Sequence, residues 1–192
     1  MIINNGSAIF KSMQWGLVPS WAKEAALGSK MINARAETLN QKPSFRKSFE
    51  RRRCLVPADG FYEWKRVGEN KIKIPMRIVL KNRGAFAFAG LWDTWQKPDG
   101  NELQTFTIIT TQPNELMDPI HNRMPVILHE KDEDKWLDPD FKDTLKLSDL
   151  LAPYSADEME AYEVLPLVNS PRNDSPGCLK PVERIRELFD PA

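Results

Sequence analysis

Short apolar runs with period-two alternation fill the middle of the chain. Arg53 to Pro57 (RCLVP) and Phe61 to Lys65 (FYEWK) flank an Asp59-Gly60 turn. Ile74 to Leu80 (IPMRIVL) alternates. Ala85 to Trp95 (AFAFAGLWDTW) and Leu103 to Thr111 (LQTFTIITT) follow, separated by Pro98-Asp99-Gly100. All of these predict strands. Upstream, Met1 to Met13 reads as a hairpin around Asn5-Gly6, a favoured two-residue turn pair. Its second strand, SAIFKSMQWGL, is long, whereas its first is only MII, as expected of a chain that begins inside a domain. PSWAKEAAL predicts a loop and a short helix. MINARAET predicts an extended segment with Ile32 and Ala34 on one face and Asn33 and Arg35 on the other. Thr38 to Phe49 reads as helix or turn.

Downstream, Asn114 to Met117 reads as one helical turn with Thr111 or Gln112 near its cap. PIHNRMPVIL reads as a loop entering a strand. Helices are expected around Asp132 to Leu137 and Asp143 to Leu151, with Pro139 and Pro153 marking ends. Val164 to Val168 reads as a last strand. The tail from Asn169 ends in a short helix, VERIRELF. The pattern predicts an α+β fold of mainly antiparallel sheets with peripheral helices, in a single domain over 1–192 with a tail at 169–192.

Composition adds limits. The chain has 192 residues, 41% hydrophobic and 28% charged, an ordinary globular balance. No run of about 18 apolar residues suits a membrane-spanning helix, and the first residues do not read as a signal peptide. Two cysteines, Cys54 and Cys178, make no disulfide framework and fit a cytoplasmic setting. With only two histidines, a His/Cys zinc site has little material, so no metal is expected. The formal net charge is zero but uneven. Gln41 to Arg53 holds six basic residues and one acid, while Glu130 to Glu163 holds twelve acids and four lysines. The basic run suggests an anion-binding face for nucleic acid, or else a merely solvated one.

Four stretches carry polar groups suited to chemistry. Glu63 is either a half-exposed strand carboxylate paired with Lys65 or Arg66, or an acid against an aromatic wall whose pKa burial raises. His121 is either a structural hydrogen-bonder or a base, acid or charge stabiliser. Asn33 and Arg35 suit sugar oxygens and phosphate; alternatively Asn33 bonds backbone and Arg35 pairs with Glu37. Thr110 and Thr111 close a hydrophobic strand. Trp15, Trp21 and Trp64 could stack on unpaired bases; core packing suits Trp15 better, and Trp21 in its loop is the better stacking residue. Cys54 reads as a buried small hydrophobe, and neither cysteine has an activating base nearby. His129 reads as surface.

Together, WGLVPSWAK, INARAET, PADGFYEWK, FTIITTQPNE and IHNRMPVIL, in this order from about Met13 to Pro171, resemble the SRAP family of SOS response-associated peptidase-like, abasic-site processing proteins. The resemblance implies a single α+β domain with a positively charged groove for single-stranded DNA. It implies a covalent thiazolidine link to abasic sites, made by the amine and thiol of an N-terminal cysteine after removal of the initiator Met. By position, Asn33 matches the asparagine that orients this cysteine, Glu63 the proton-relaying glutamate, and His121 the histidine that assists Schiff-base formation. Trp21, Arg35, Thr110 and Arg123 match DNA-contacting positions. No cofactor and no metal is implied, and the partner expected is single-stranded DNA with abasic sites, bound by a monomer with no membrane association. The family opens with Met-Cys-Gly-Arg, whereas residue 2 here is Ile2. The expectation is therefore that this chain, as written, lacks the nucleophile and cannot form the link. A non-covalent single-stranded DNA-binding module and a peptidase are the competing readings.

Overall fold

The computed structural model describes residues 1–4, 6–69 and 72–182. Its strands, in chain order, are β1 (Ile2–Asn4), β2 (Ala8–Phe10), β3 (Gln14–Trp15), β4 (Asn33–Arg35), β5 (Arg53–Ala58), β6 (Phe61–Val67), β7 (Ile72–Leu80), β8 (Phe86–Gln96), β9 (Glu102–Thr111), β10 (Met124–Pro125), β11 (Ile127–Leu128) and β12 (Met159–Glu163). The α-helices are α1 (Pro43–Arg51), α2 (Glu130–Leu137) and α3 (Thr144–Asp149).

Nine strands form one sheet in the order β10-β9-β8-β5-β1-β2, with β11 beside β8 and both β3 and β4 beside β9. Only β3 and β4 run parallel to their neighbour; the rest of the sheet is antiparallel. A second, antiparallel sheet has the order β12-β7-β6. The fold is thus α+β and mainly antiparallel, as the alternation predicts.

The central strands β5, β8 and β9 are apolar on both faces because each face meets its own layer. Leu55, Ala87, Ala89, Leu91 and Ile109 share a core with Phe45 and Phe49 of α1, Trp136 of α2 and Leu147 of α3. The alternate residues Cys54, Val56, Phe86, Phe88 and Phe106 point the other way, into a core shared with Ile78 and Leu80 of β7 and Met159 of β12. Helices, large sheet and small sheet therefore stack as three layers. Between β5 and β6 the chain crosses at Asp59-Gly60 from the large sheet to the small one.

Several expectations are corrected. SAIFKSMQWGL is not one strand. Its first part pairs antiparallel with β1, whereas Gln14 and Trp15 lie parallel to β9, and one straight strand cannot satisfy both. Val164 to Val168 is not a strand; Pro166 opens a 3-10 turn instead. The last strand lies earlier, where Met159 to Glu163 pairs with β7. The turn after β9 is capped by Asn114, whose side chain accepts from the Met117 N–H at 2.9 Å, rather than by Thr111 or Gln112. Of the expected Asn5-Gly6 turn, Asn5 lies outside the described residues, as does VERIRELF beyond Val182.

Most of the basic run forms α1, whose apolar side packs on the helical side of the large sheet while Lys42, Arg46, Lys47 and Arg51 stay exposed; only the end of the run is taken up by the fold. Arg53 is 4% exposed and bonds only carbonyls, among them Trp136 O at 2.6 Å, and Phe49 O and Glu50 O at 2.8 Å. Burial pulls its pKa down to about 10, against a smaller opposing pull from the Asp138 carboxylate. Arg52 is held by Asp93.

Candidate nucleic-acid and catalytic site

The two sheets part at one end and leave a cavity of about 310 Å³ between them. On the large sheet, β4 and β9 turn Asn33, Arg35, Ile108 and Thr110 into it; on the small sheet, β6 contributes Phe61 and Glu63. The loop before β10 brings His121 and Arg123. Six of the seven site residues expected from the sequence are thereby gathered. Trp21 is the exception. It is 56% exposed on the loop after β3 and does not line the cavity.

The strand alternation of FYEWK decides the environment of Glu63. Phe61 and Glu63 face inward, where Phe61 packs edge-on against Phe88 with centroids 5.8 Å apart. Tyr62 and Trp64 face the tail, donating to Cys178 O and Asn169 Oδ1. Glu63 finds neither Lys65 nor Arg66 as a partner among the described residues. Its nearest charge partner is His121, with Nδ1 3.8 Å from Oε1, beyond hydrogen-bond range. Burial raises the Glu63 pKa, while His121 and a backbone hydrogen bond from Trp64 lower it by less.

His121 Nδ1 also lies 3.2 Å from Arg123 N and 3.1 Å from Arg123 O. An unprotonated Nδ1 accepts from that N–H. A protonated Nδ1 donates to that carbonyl oxygen, with Glu63 beside it. The loop thus offers a hydrogen-bond partner for either state of the ring.

Arg123 is not free either. It grips Glu37 bidentately, at 2.7 and 3.0 Å, and donates to Thr110 O at 2.6 Å. The hydrogen bond from Arg123 holds the Glu37 carboxyl below the usual carboxylate range. The alternative Arg35–Glu37 ion pair is thus not formed: Glu37 is held by Arg123, and the guanidinium of Arg35 stays exposed at the cavity. Glu37 is the partner of a cavity residue that sequence reasoning missed: 86 positions separate it from Arg123, and no local pattern links them.

The cysteines stand apart. Cys54 is fully buried and its thiol is pushed up to about 12; Cys178 is 8% exposed, under the tail. Neither lines the cavity. Trp15, expected in the core, is 52% exposed. No described helix is long and apolar enough to cross a membrane.

The chain is 59% identical to the abasic site processing protein YoqW of Bacillus subtilis over 180 residues, covering 93% of this chain and 80% of that one. It is 36% identical to the abasic site processing protein HMCES of Gallus gallus, covering 94% of this chain and 60% of that one. A crystal structure of a protein from Bacteroides thetaiotaomicron superposes with a TM-score of 0.85 at 34% identity, over 95% of this chain and 80% of that one. The profile of the SOS response associated peptidase (SRAP) family matches residues 1–171, and with these relatives beside it the chain belongs to that family.

Proposed function

We infer that the cavity receives the sugar of an abasic site in single-stranded DNA and supplies the proton transfers of its covalent capture. The observation that carries the reading is Glu63: a carboxyl raised by burial, on an apolar wall, beside His121 and across from Asn33. A carboxyl with a raised pKa is better suited than an ordinary one to protonate a sugar oxygen. In the capture step, a primary amine adds to the aldehyde carbon of the opened sugar. Water leaves with a proton from Glu63, giving a protonated Schiff base whose formation His121 assists. A thiol on the same residue then adds to the imine carbon, its proton returns to the Glu63 carboxylate, and a neutral thiazolidine closes. Asn33 orients the amine and the ring. Arg35, Arg123 and Thr110 hold the flanking backbone, with Trp21 beyond the cavity.

Amine and thiol must sit on one residue. The nitrogens of Cys54 and Cys178 are amides, so neither can serve. The residues numbered here therefore bind the lesion and carry its acid and base, and a terminal Met-Cys-Gly-Arg segment would supply the nucleophile. A peptidase reading finds little support, because among the described residues no serine or cysteine lines the cavity beside His121. The test is incubation with single-stranded DNA bearing an abasic site, followed by a denaturing gel, with and without that segment fused ahead of Met1. A heat-stable adduct from the fused chain alone is expected. An adduct from the unfused chain would overturn the assignment of the nucleophile. Salt-sensitive binding with no adduct from either would favour a non-covalent DNA-binding module.

A further inference from the structure

Strands β3 and β4 lie end to end along the same edge of β9. Trp15 pairs with Phe106, Asn33 with Ile108 and Arg35 with Thr110. These partners alternate along β9, so Trp15, Asn33 and Arg35 share the face that opens into the cavity. Each step is two residues, about 7 Å, which sets Trp15 about 13 Å along the row from Arg35. Asn33 and Arg35 line the cavity and Trp15 does not, so the indole stands one step outside its mouth.

The indole is held flat. Its ring lies at 13° to that of Phe106, with centroids 6.4 Å apart, and its Nε1–H donates to Ile32 O at 2.8 Å. Phe106 beneath it is 6% exposed, while Trp15 itself is 52% exposed. A tryptophan fixed on one side and open on the other gives up little further freedom when a flat partner arrives. The guanidinium of Arg35, further along the row, favours an anionic backbone.

We propose that Trp15 is a stacking platform for the unpaired base next to the lesion. The inference rests on the single-stranded DNA reading above. Its chemical logic is that an abasic nucleotide has no base to grip. Register on the protein must then come from phosphates and from a neighbouring base, and Trp15 is the aromatic surface one step from the sugar pocket. Stacking of this kind accepts any base, since every base has a flat face.

The test uses single-stranded oligonucleotides carrying a tetrahydrofuran abasic analogue, which has no aldehyde, with 2-aminopurine on one side of it or the other. Binding is expected to quench 2-aminopurine on one side only. Trp15→Ala should abolish that quenching and weaken binding about five- to a hundredfold, whereas Trp15→Phe should retain part of both. As a check independent of any variant's folding, removing the neighbouring base from the oligonucleotide should weaken binding by the wild-type chain. The same removal should have no effect on Trp15→Ala. Full affinity and quenching in Trp15→Ala, or indifference of the wild-type chain to the neighbouring base, would overturn the proposal. Salt-sensitive binding weakened by Arg35→Ala in that same experiment would leave the DNA reading standing, while absence of salt-sensitive binding by the wild-type chain would overturn both.

Discussion

Glu63 lines the cavity and Glu37 grips Arg123, which lines it too, and the pKa values of the two carboxylates move in opposite directions for opposite reasons. Burial raises that of Glu63, so the folded state prefers its protonated form. Its contribution to stability is fully present below the ordinary carboxylate pKa and is lost as pH rises through the raised value. Glu63→Gln, which mimics the protonated form, should therefore melt higher than wild type at neutral pH and equally at low pH; a calorimetric pH series checks this. In a chain carrying the terminal cysteine, the same substitution should slow adduct formation by about 10²- to 10⁴-fold, read from single-turnover gels. Glu37 behaves inversely. The hydrogen bond from Arg123 lowers its pKa, so its contribution is present above the ordinary value and lost as pH falls through the lowered one. The side chain of Glu37 is 43% exposed, which limits the cost of Glu37→Ala to about 1 kcal/mol or less. Urea denaturation at neutral pH should show that small loss.

At the level of elements, Arg53 ties two helices to the large sheet. Its guanidinium collects the carbonyls of Phe49 and Glu50 in α1, of Trp136 in α2, and of Asp138 and Phe141 just beyond it, while the Trp136 indole N–H donates back to Cys54 O at 3.0 Å. Arg53→Met would strand those carbonyls in the core and should cost about 3 kcal/mol or more; Arg53→Lys should recover little, because an ammonium cannot fork among them. Denaturant midpoints of both variants test this. The close approach of Gly16 and Gly28 sets the path of the loop after β3. Gly16 has φ of +110°, and a Cβ there would lie 2.6 Å from Gly28 O. Gly16→Ala should destabilise by at least about 1–3 kcal/mol and free the Trp15 indole, seen as a change in tryptophan fluorescence.

Across the whole molecule, the end of the chain's basic run that the structure buries cannot reach DNA, and salt dependence should fall to a few exposed cations instead. Arg35→Ala is expected to reduce the slope of log affinity against log salt by about 0.7, the value of one phosphate contact on a single strand, whereas Arg53 variants that remain folded should leave the slope unchanged. Alternation alone was enough to read β5 to β9 and to put Phe61 with Glu63 on one face, because period two is a property of the strand itself. Order of motifs was enough to suggest Asn33, Glu63 and His121 as a set. Neither could reveal that SAIFKSMQWGL breaks, since the break comes from two sheet partners running in different directions, one far along the chain. Neither could assign Glu37 to Arg123, or bury Arg53 while exposing Trp15: ion pairs and burial depend on which layers meet, and layers meet only after folding. The sequence by itself determined which side chains each strand presents on each face. Only the tertiary structure decided which faces became core, which became cavity and which stayed open to solvent, because that choice belongs to the packing of one sheet on another.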